Sequence, residues 1–321
     1  MQPEDQPTSE SKSNQTRILG GKSVSTAIRQ ELAVEVASLV ESGGRRPKLV
    51  AVLVGDDTAS ATYVASKARG CQEVGMDGET LRLPADIDGG ELEATIRRLN
   101  DDDGVDGILV QLPLPKHIDE DRILQLIDPD KDVDGFHPVN VGRLWSGRDA
   151  LAPATPTGVI ELLQRRDIEI RGRHAVIVGR SNIVGKPMAA LLLQNHATVT
   201  ICHSRTADLA AECSRADILI AAVGVPALLG PEHVKDGAVV IDVGMNRVDD
   251  TATLERLYPG NEKRRNGFEK RGFSLVGDVD YTRVKTKASA ITPVPGGVGL
   301  LTVTMVIANT LRASKLRQHR A

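Results

Sequence analysis

Aromatic side chains are scarce in this 321-residue chain: one Trp, three Tyr and three Phe make up 2% of it. A core therefore has to be built from Val, Leu, Ile and Ala. Cysteine is equally sparse. Cys71, Cys202 and Cys213 are odd in number and show no metal-ligand spacing, which argues against a disulfide framework or a metal centre and fits a reducing compartment. Long hydrophobic runs are missing too. The longest nearly apolar stretch, Gly296 to Ala308, holds three glycines and two threonines and is too short to span a bilayer; it reads as a glycine loop leading into a buried helix. Neither charge is in large excess. A formal −3 offers no broad footprint for nucleic acid. The first 16 residues are polar, mixed in charge and without an apolar segment, so they read as a disordered tail and not a signal peptide. A soluble, cytoplasmic protein without membrane, nucleic-acid or metal partners is expected.

What is present is ordinary globular material, 40% hydrophobic and 26% charged, in a chain long enough for two domains. Helical spacing runs over Ile28 to Leu39 and stops at Gly43-Gly44. Lys48 to Val54 (KLVAVLV) is a short apolar run bounded by Pro47 and Gly55, a buried strand. A helix over about Ser60 to Val74 follows, then a helix near Leu92 to Asn100 and the strand Gly107 to Val110. From Pro113 to Pro156 there are six prolines and little periodicity, which marks the passage between domains. The alternation then restarts: strand His174 to Val178, glycine loop, helix Pro187 to Gln194, strand Thr198 to Cys202, helix near Ala207 to Cys213, and strands Asp217 to Ala221 and Ala238 to Val243. Val248 to Ser274 is polar and charged and reads as a surface excursion. A last helix, about Leu300 to Ser314, is expected to pack back on the first domain. The fold class is two-domain α/β, with an N-terminal α/β catalytic domain and a second, Rossmann-like domain with a parallel sheet. The expected boundaries are a tail over 1–16, a first domain over 17–151 completed by 293–321, and a second over 152–292.

The glycine loop is Val176-Ile177-Val178-Gly179-Arg180-Ser181-Asn182-Ile183-Val184-Gly185-Lys186-Pro187. Gly179 and Gly185 would let backbone approach a pyrophosphate at a helix N-terminus. The spacing G-x-S-x-x-x-G also suits a structural tight turn. The next strand ends in Cys202-His203-Ser204-Arg205-Thr206, without the carboxylate that takes the ribose 2′-hydroxyl of NAD. Arg180 and Arg205 can instead meet a 2′-phosphate, with Ser204 hydrogen-bonding it, so NADP is expected; two solvated arginines and a capping serine are the plain alternative.

In the first half, Tyr63 and Lys67 lie four apart on one helical face and can line one cleft. The same Y-x-x-x-K spacing serves short-chain dehydrogenases, but there the glycine loop comes first, whereas here Lys67 precedes Gly179. Gln111 stands at the end of a strand, in Asp106-Gly107-Ile108-Leu109-Val110-Gln111-Leu112-Pro113-Leu114-Pro115, where open α/β sheets place ligands. Asp134, in Pro129-Asp130-Lys131-Asp132-Val133-Asp134-Gly135-Phe136-His137-Pro138, is either a site carboxylate or a turn-former beside Gly135.

Together with Ile291-Thr292-Pro293-Val294-Pro295-Gly296-Gly297-Val298-Gly299, these segments closely resemble the bifunctional methylenetetrahydrofolate dehydrogenase/cyclohydrolase family, from about Arg17 to Leu311. The resemblance implies NADP-dependent oxidation of 5,10-methylenetetrahydrofolate to the methenyl form and its hydrolysis to 10-formyltetrahydrofolate, in a homodimer. It implies that Lys67 is the central catalytic group, that Gln111 orients it, that Asp134 holds the pterin and that Tyr63 stacks on the substrate. The loop with Pro295, Gly296 and Gly297 would close over the folate. Gly179, Arg180, Ser181, Ser204 and the backbone around Met245 would contact the cofactor, with Arg205 beside them. Such a lysine has to lie below its free pKa of about 10.4 to move protons at neutral pH.

Three features depart from the family pattern. Ala154 stands where cysteine is frequent. Leu300-Leu301 replaces a common proline and methionine, which would loosen the start of the last helix. The Val248 to Ser274 segment is unusually long, and is expected to be disordered or to meet a partner. The rival readings are another two-domain NADP-dependent dehydrogenase, acting on an amino acid or a shikimate-like acid, and an inactive folate-binding regulator.

Overall fold

The structure, a computed structural model, describes residues 15–318; most of the expected tail, residues 1–14, lies outside them. The chain opens with a two-residue strand, Arg17–Ile18 (β1), and a long helix, Gly21–Glu41 (α1). Thr16 is already held, its hydroxyl donating to the Lys285 carbonyl at 2.6 Å. A first α/β series follows: Lys48–Val54 (β2), Thr58–Glu73 (α2), Asp77–Leu83 (β3), Gly89–Asp101 (α3) and Gly107–Val110 (β4). Helix α2 begins where the Asp57 carboxylate accepts from the Ser60 N–H, and α3 where Asp88 accepts from Gly90. β2 lies between β3 and β4 in a parallel three-stranded sheet. Covered on both faces, it carries six buried apolar residues in a row. β3 escapes detection in the sequence because it is an edge strand, DGETLRL, with charges and only partial burial.

The proline-rich passage is not loop. It contains Glu120–Leu126 (α4), Pro138–Trp145 (α5) and Ala154–Arg165 (α6). Pro138 and Pro156 sit in first helical turns, where a missing N–H costs nothing. α6 buries seven residues, and the Gly158 position allows close approach to the last helix, since a Cβ there would stand 2.8 Å from that of Leu301.

The second series is His174–Val178 (β5), Gly185–Gln194 (α7), Thr198–Cys202 (β6), Leu209–Cys213 (α8), Ile218–Ala221 (β7) and Val239–Asp242 (β8). Of the two expectations for the Val248 to Ser274 segment, disorder is overturned. The segment forms Asn246–Val248 (β9), Thr251–Leu257 (α9), Glu262–Arg271 (α10) and Ser274–Val276 (β10), with β9 and β10 antiparallel. Val248, Leu254, Leu257, Tyr258 and Val276 give it a small core of its own; these few apolar residues are spread too thinly among charges to show a period. Tyr281–Val284 (α11), Ala290–Ile291 (β11) and Val298–Gln318 (α12) complete the chain.

The large sheet is six-stranded and all parallel, in the order β1-β11-β8-β7-β5-β6. The first strand of the chain thus sits in the second sheet, whereas the last helix returns to the first and packs on α1, α2, α6, β2 and β4. α12 starts at Val298, so the Leu300-Leu301 pair does not loosen its beginning: Leu301 is fully buried in its first turn. No helix among the described residues is long and apolar enough to cross a membrane.

Candidate active site

The carboxyl ends of β2 and β4 and the start of α2 face the carboxyl ends of β5 and β8. Between them lies a cleft of about 550 Å3, lined by Ser60, Tyr63, Gln111, Leu112, Thr155, Val184, Met245, Gly299 and Thr302, among others. A second hollow of about 290 Å3 opens beside it and shares Tyr63, Met245 and Gly299, adding Asp242 and the Pro293–Gly297 loop. This is the size range of small-molecule sites.

α2 puts Tyr63 and Lys67 on one face, as their spacing requires. Lys67 is 4% exposed, and its ammonium lies 5.4 Å from the centroid of the Tyr63 ring and donates to Gln111 Oε1 at 3.1 Å. Gln111 Nε2 donates in turn to the Leu112 carbonyl at 2.8 Å, which turns Oε1 toward the lysine. Burial pushes the Lys67 pKa down and the charge of Asp134 partly opposes it. Tyr63 donates to the Gly299 carbonyl at 3.4 Å, and burial raises its phenol.

The acidic turn divides its labour. Asp132, not Asp134, forms it: the Asp132 carboxylate accepts from the Gly135 and His137 N–H groups and from Asn140 Nδ2. Lys131 is fully buried and donates to the carbonyls of Leu99, Asn100 and Asp102, which closes the end of α3. Gly135 is obligatory, with φ +73° and a Cβ position 2.5 Å from the Leu151 carbonyl. Asp134 is left facing Lys67, and burial pushes its carboxyl up to about 6 against the pull of that lysine.

Across the cleft, Gly179 has φ +129°, and a Cβ there would stand 2.1 Å from the Ala222 carbonyl; one on Gly185 would stand 2.2 Å from the Gly179 carbonyl. The glycines therefore let the turn fold on itself as well as leave room outside it. Ser181 Oγ accepts from the N–H groups of Val184 and Gly185, a structural duty at the start of α7. The Gly179 N–H donates to the Cys202 carbonyl, which places the glycine turn beside the tip of β6. Arg180, Ser181, Ser204 and Arg205 are all exposed there, and the tip from Cys202 to Thr206 carries no carboxylate. A glycine cradle at a ten-residue helix, flanked by two arginines and no acid, fits a dinucleotide bearing a 2′-phosphate. Met245 is half exposed and touches the position a Gly299 side chain would fill, 3.0 Å from its Cε. Gly297 is buried, while Pro295 and Gly296 are exposed over the second hollow.

The sequence reading missed Asp242. It ends β8 and accepts the N–H groups of Gly244, Asp278 and Val279, and burial pushes its carboxyl up to about 7. A carboxylate at the carboxyl tip of a predicted strand was the available signal. Thr155 and Thr302, 2.9 Å apart on α6 and α12, also line the cleft, and nothing in their spacing announces it.

A Rossmann-like parallel sheet facing a lysine-centred cleft on a second α/β unit defines a two-domain, nucleotide-dependent α/β enzyme. The comparisons narrow the class. Residues 19–134 match the model of the tetrahydrofolate dehydrogenase/cyclohydrolase catalytic domain, and residues 153–318 match that family's NAD(P)-binding domain; the chain belongs to this family. It is 50% identical over 302 residues to the bifunctional protein FolD of Bacteroides fragilis, covering 93% of this chain and 98% of that one. Among solved structures it is similar to the Campylobacter jejuni FolD methylenetetrahydrofolate dehydrogenase/cyclohydrolase, with TM-score 0.85 and 44% identity over 94% of this chain and 99% of the other. It is also similar to the Trypanosoma brucei N5,N10-methylenetetrahydrofolate dehydrogenase-cyclohydrolase complexed with NADP and an inhibitor, with TM-score 0.85 and 40% identity over 95% and 99%.

Proposed function

We propose that this chain oxidises 5,10-methylenetetrahydrofolate with NADP and hydrolyses the methenyl product to 10-formyltetrahydrofolate in one cleft. The observation that carries the reading is Lys67, buried, held by Gln111 and set beside Tyr63 and Asp134. Gly179, Arg180, Ser181, Ser204, Arg205 and the backbone around Met245 would hold NADP, which supplies the hydride acceptor when bound. The hydride leaves the carbon bridging N5 and N10, so this half needs alignment more than a base. Tyr63 stacks on the substrate, Asp134 takes the hydrogen-bonding edge of the pterin, and the loop of Pro295, Gly296 and Gly297 covers it. The product is a methenyl cation. Water adds to its carbon, the bond from that carbon to N5 breaks as N5 gains one of the two water protons, and the other proton is released while the formyl group stays on N10. As a free amine, Lys67 takes the proton from the attacking water.

The reading extends to the whole molecule. A folate unit over 17–151, completed by 293–321, facing an NADP unit over 152–292 is supported by α12 packing on α1 and α2, except that the opening strand Arg17–Ile18 pairs with β11 in the sheet of the NADP unit. A homodimer in the cytoplasm is supported by the open edge at β6, beside which Trp145, Leu193 and Ile201 are exposed, and by three free, buried cysteines.

The test is a spectrophotometric assay of methylene- and methenyl-tetrahydrofolate with NADP and NAD. Turnover with NADP preferred is expected, and Lys67→Met should lower hydrolysis by about 10²–10⁴. Hydrolysis by Lys67→Met at the unmodified rate would refute the role of the lysine.

A further inference from the structure

The unusually long segment between β9 and β10 ends up against the substrate loop, and one side chain makes the connection. α10 has no fully buried residue, and its contact with the small core is the partly buried Phe268. The charged side chain it sends inward is Arg264. The guanidinium lies 3.7 Å from the centroid of the Tyr258 ring, donates through Nη1 to the Leu275 carbonyl at 2.9 Å, and donates through Nη2 to the Val294 carbonyl. Leu275 belongs to β10 and Val294 to the loop over the second hollow. A planar fork with fixed donors suits two carbonyls on separate segments, and a flat ring beneath it limits its motion.

We propose that Arg264 is a positioning residue for the loop from Thr292 to Gly297 that leads into α12, and thereby sets the affinity for the folate substrate. This rests on the folate reading above. Other ties hold the loop on either side: Thr292 N–H donates to Val240, and the Gly296 carbonyl accepts from Gly21 N–H at 2.9 Å. Arg264 takes hold between them, at the carbonyl just before Pro295. Arg264 touches neither Lys67 nor the glycine turn of the cofactor site, so its effect falls on substrate binding and not on chemistry.

The test compares Arg264→Ala and Arg264→Lys with the unmodified protein by steady-state kinetics and by hydrogen exchange of the loop amides without ligand. For Arg264→Ala the folate KM should rise about tenfold with kcat unchanged, the signature of lost uniform binding. The NADP KM should stay within about twofold, and exchange at Gly296, Gly297, Val298 and Gly299 should quicken. Arg264→Lys, with one compact donor for two carbonyls, should fall between. Should the Ala variant fail to fold, the Lys variant carries the same comparison. An unchanged folate KM in a folded variant, parallel rises in both KM values, or unaltered loop exchange would overturn the proposal. If the unmodified protein turns over no folate while loop exchange still responds, the folate reading fails and the positioning of the loop stands.

Discussion

Within Asp130 to Asp134, four charged side chains sit in five positions. The sequence shows that cluster but not its division of labour, because burial and partners are set by segments far away in the chain. Lys131 is spent on three carbonyls of the α3 end and Asp132 on its own turn, whereas Asp134 keeps its carboxyl toward Lys67. The pKa of Asp134 lies at about 6 against an ordinary 3.8. Between those values the folded protein holds a proton that the unfolded chain releases, so stability falls as pH rises through that window. Asp134→Asn should therefore gain about 1–3 kcal/mol at pH 7, shrinking toward zero at pH 4, while folate turnover collapses. Urea unfolding at both pH values, beside the assay, checks this. Lys67 has the opposite sign. Its pKa is lowered, so the free amine accumulates as pH rises, and the hydrolytic kcat/KM should climb through a limb below about 10.4 that Lys67→Met lacks.

At the level of elements, legibility followed burial. β2, β4, β5 and β8 are covered on both faces and announce themselves as apolar runs, and β2, β4 and β5 match their predicted limits residue for residue; the edge strand β6 does so as well, through the β-branched residues of TVTIC and not through burial. β3, at an edge, and α9 and α10, with few apolar residues, carry too little pattern to be seen. α6 was hidden by prolines that its first turn tolerates. The glycine turn was visible, but only its packing explains both glycines. Gly185→Ala would drive a methyl group into the Gly179 carbonyl, opening the turn, and should cost about 1–3 kcal/mol of stability. NADP affinity should weaken by at least about tenfold, or 1.4 kcal/mol, as fluorescence titration would show, with folate binding less affected.

Across the whole molecule, the cleft depends on α12. Asn309 Nδ2 donates to the carbonyls of Val133 and Ala152 at 2.8 and 2.9 Å, so the final helix holds the residue next to Asp134. Asn309→Leu leaves one buried and one partly buried carbonyl without that donor and should cost about 2–4 kcal/mol. It should also lower kcat/KM for both half-reactions, which thermal unfolding and the folate assay together would register. The return of this helix was anticipated in the sequence; its contact beside Asp134 was not, because the two lie on opposite sides of the intervening sheet in chain order. The exchange of end segments between the two sheets has a further meaning during synthesis. Domains made first ordinarily fold first. Here the small sheet leaves the ribosome early but waits for α12, and β1 waits for β11, so the earliest-made half cannot close until the latest-made segments have emerged. A nascent chain stalled before α12 should therefore expose the faces of α1 and α2 to whatever chaperone meets it.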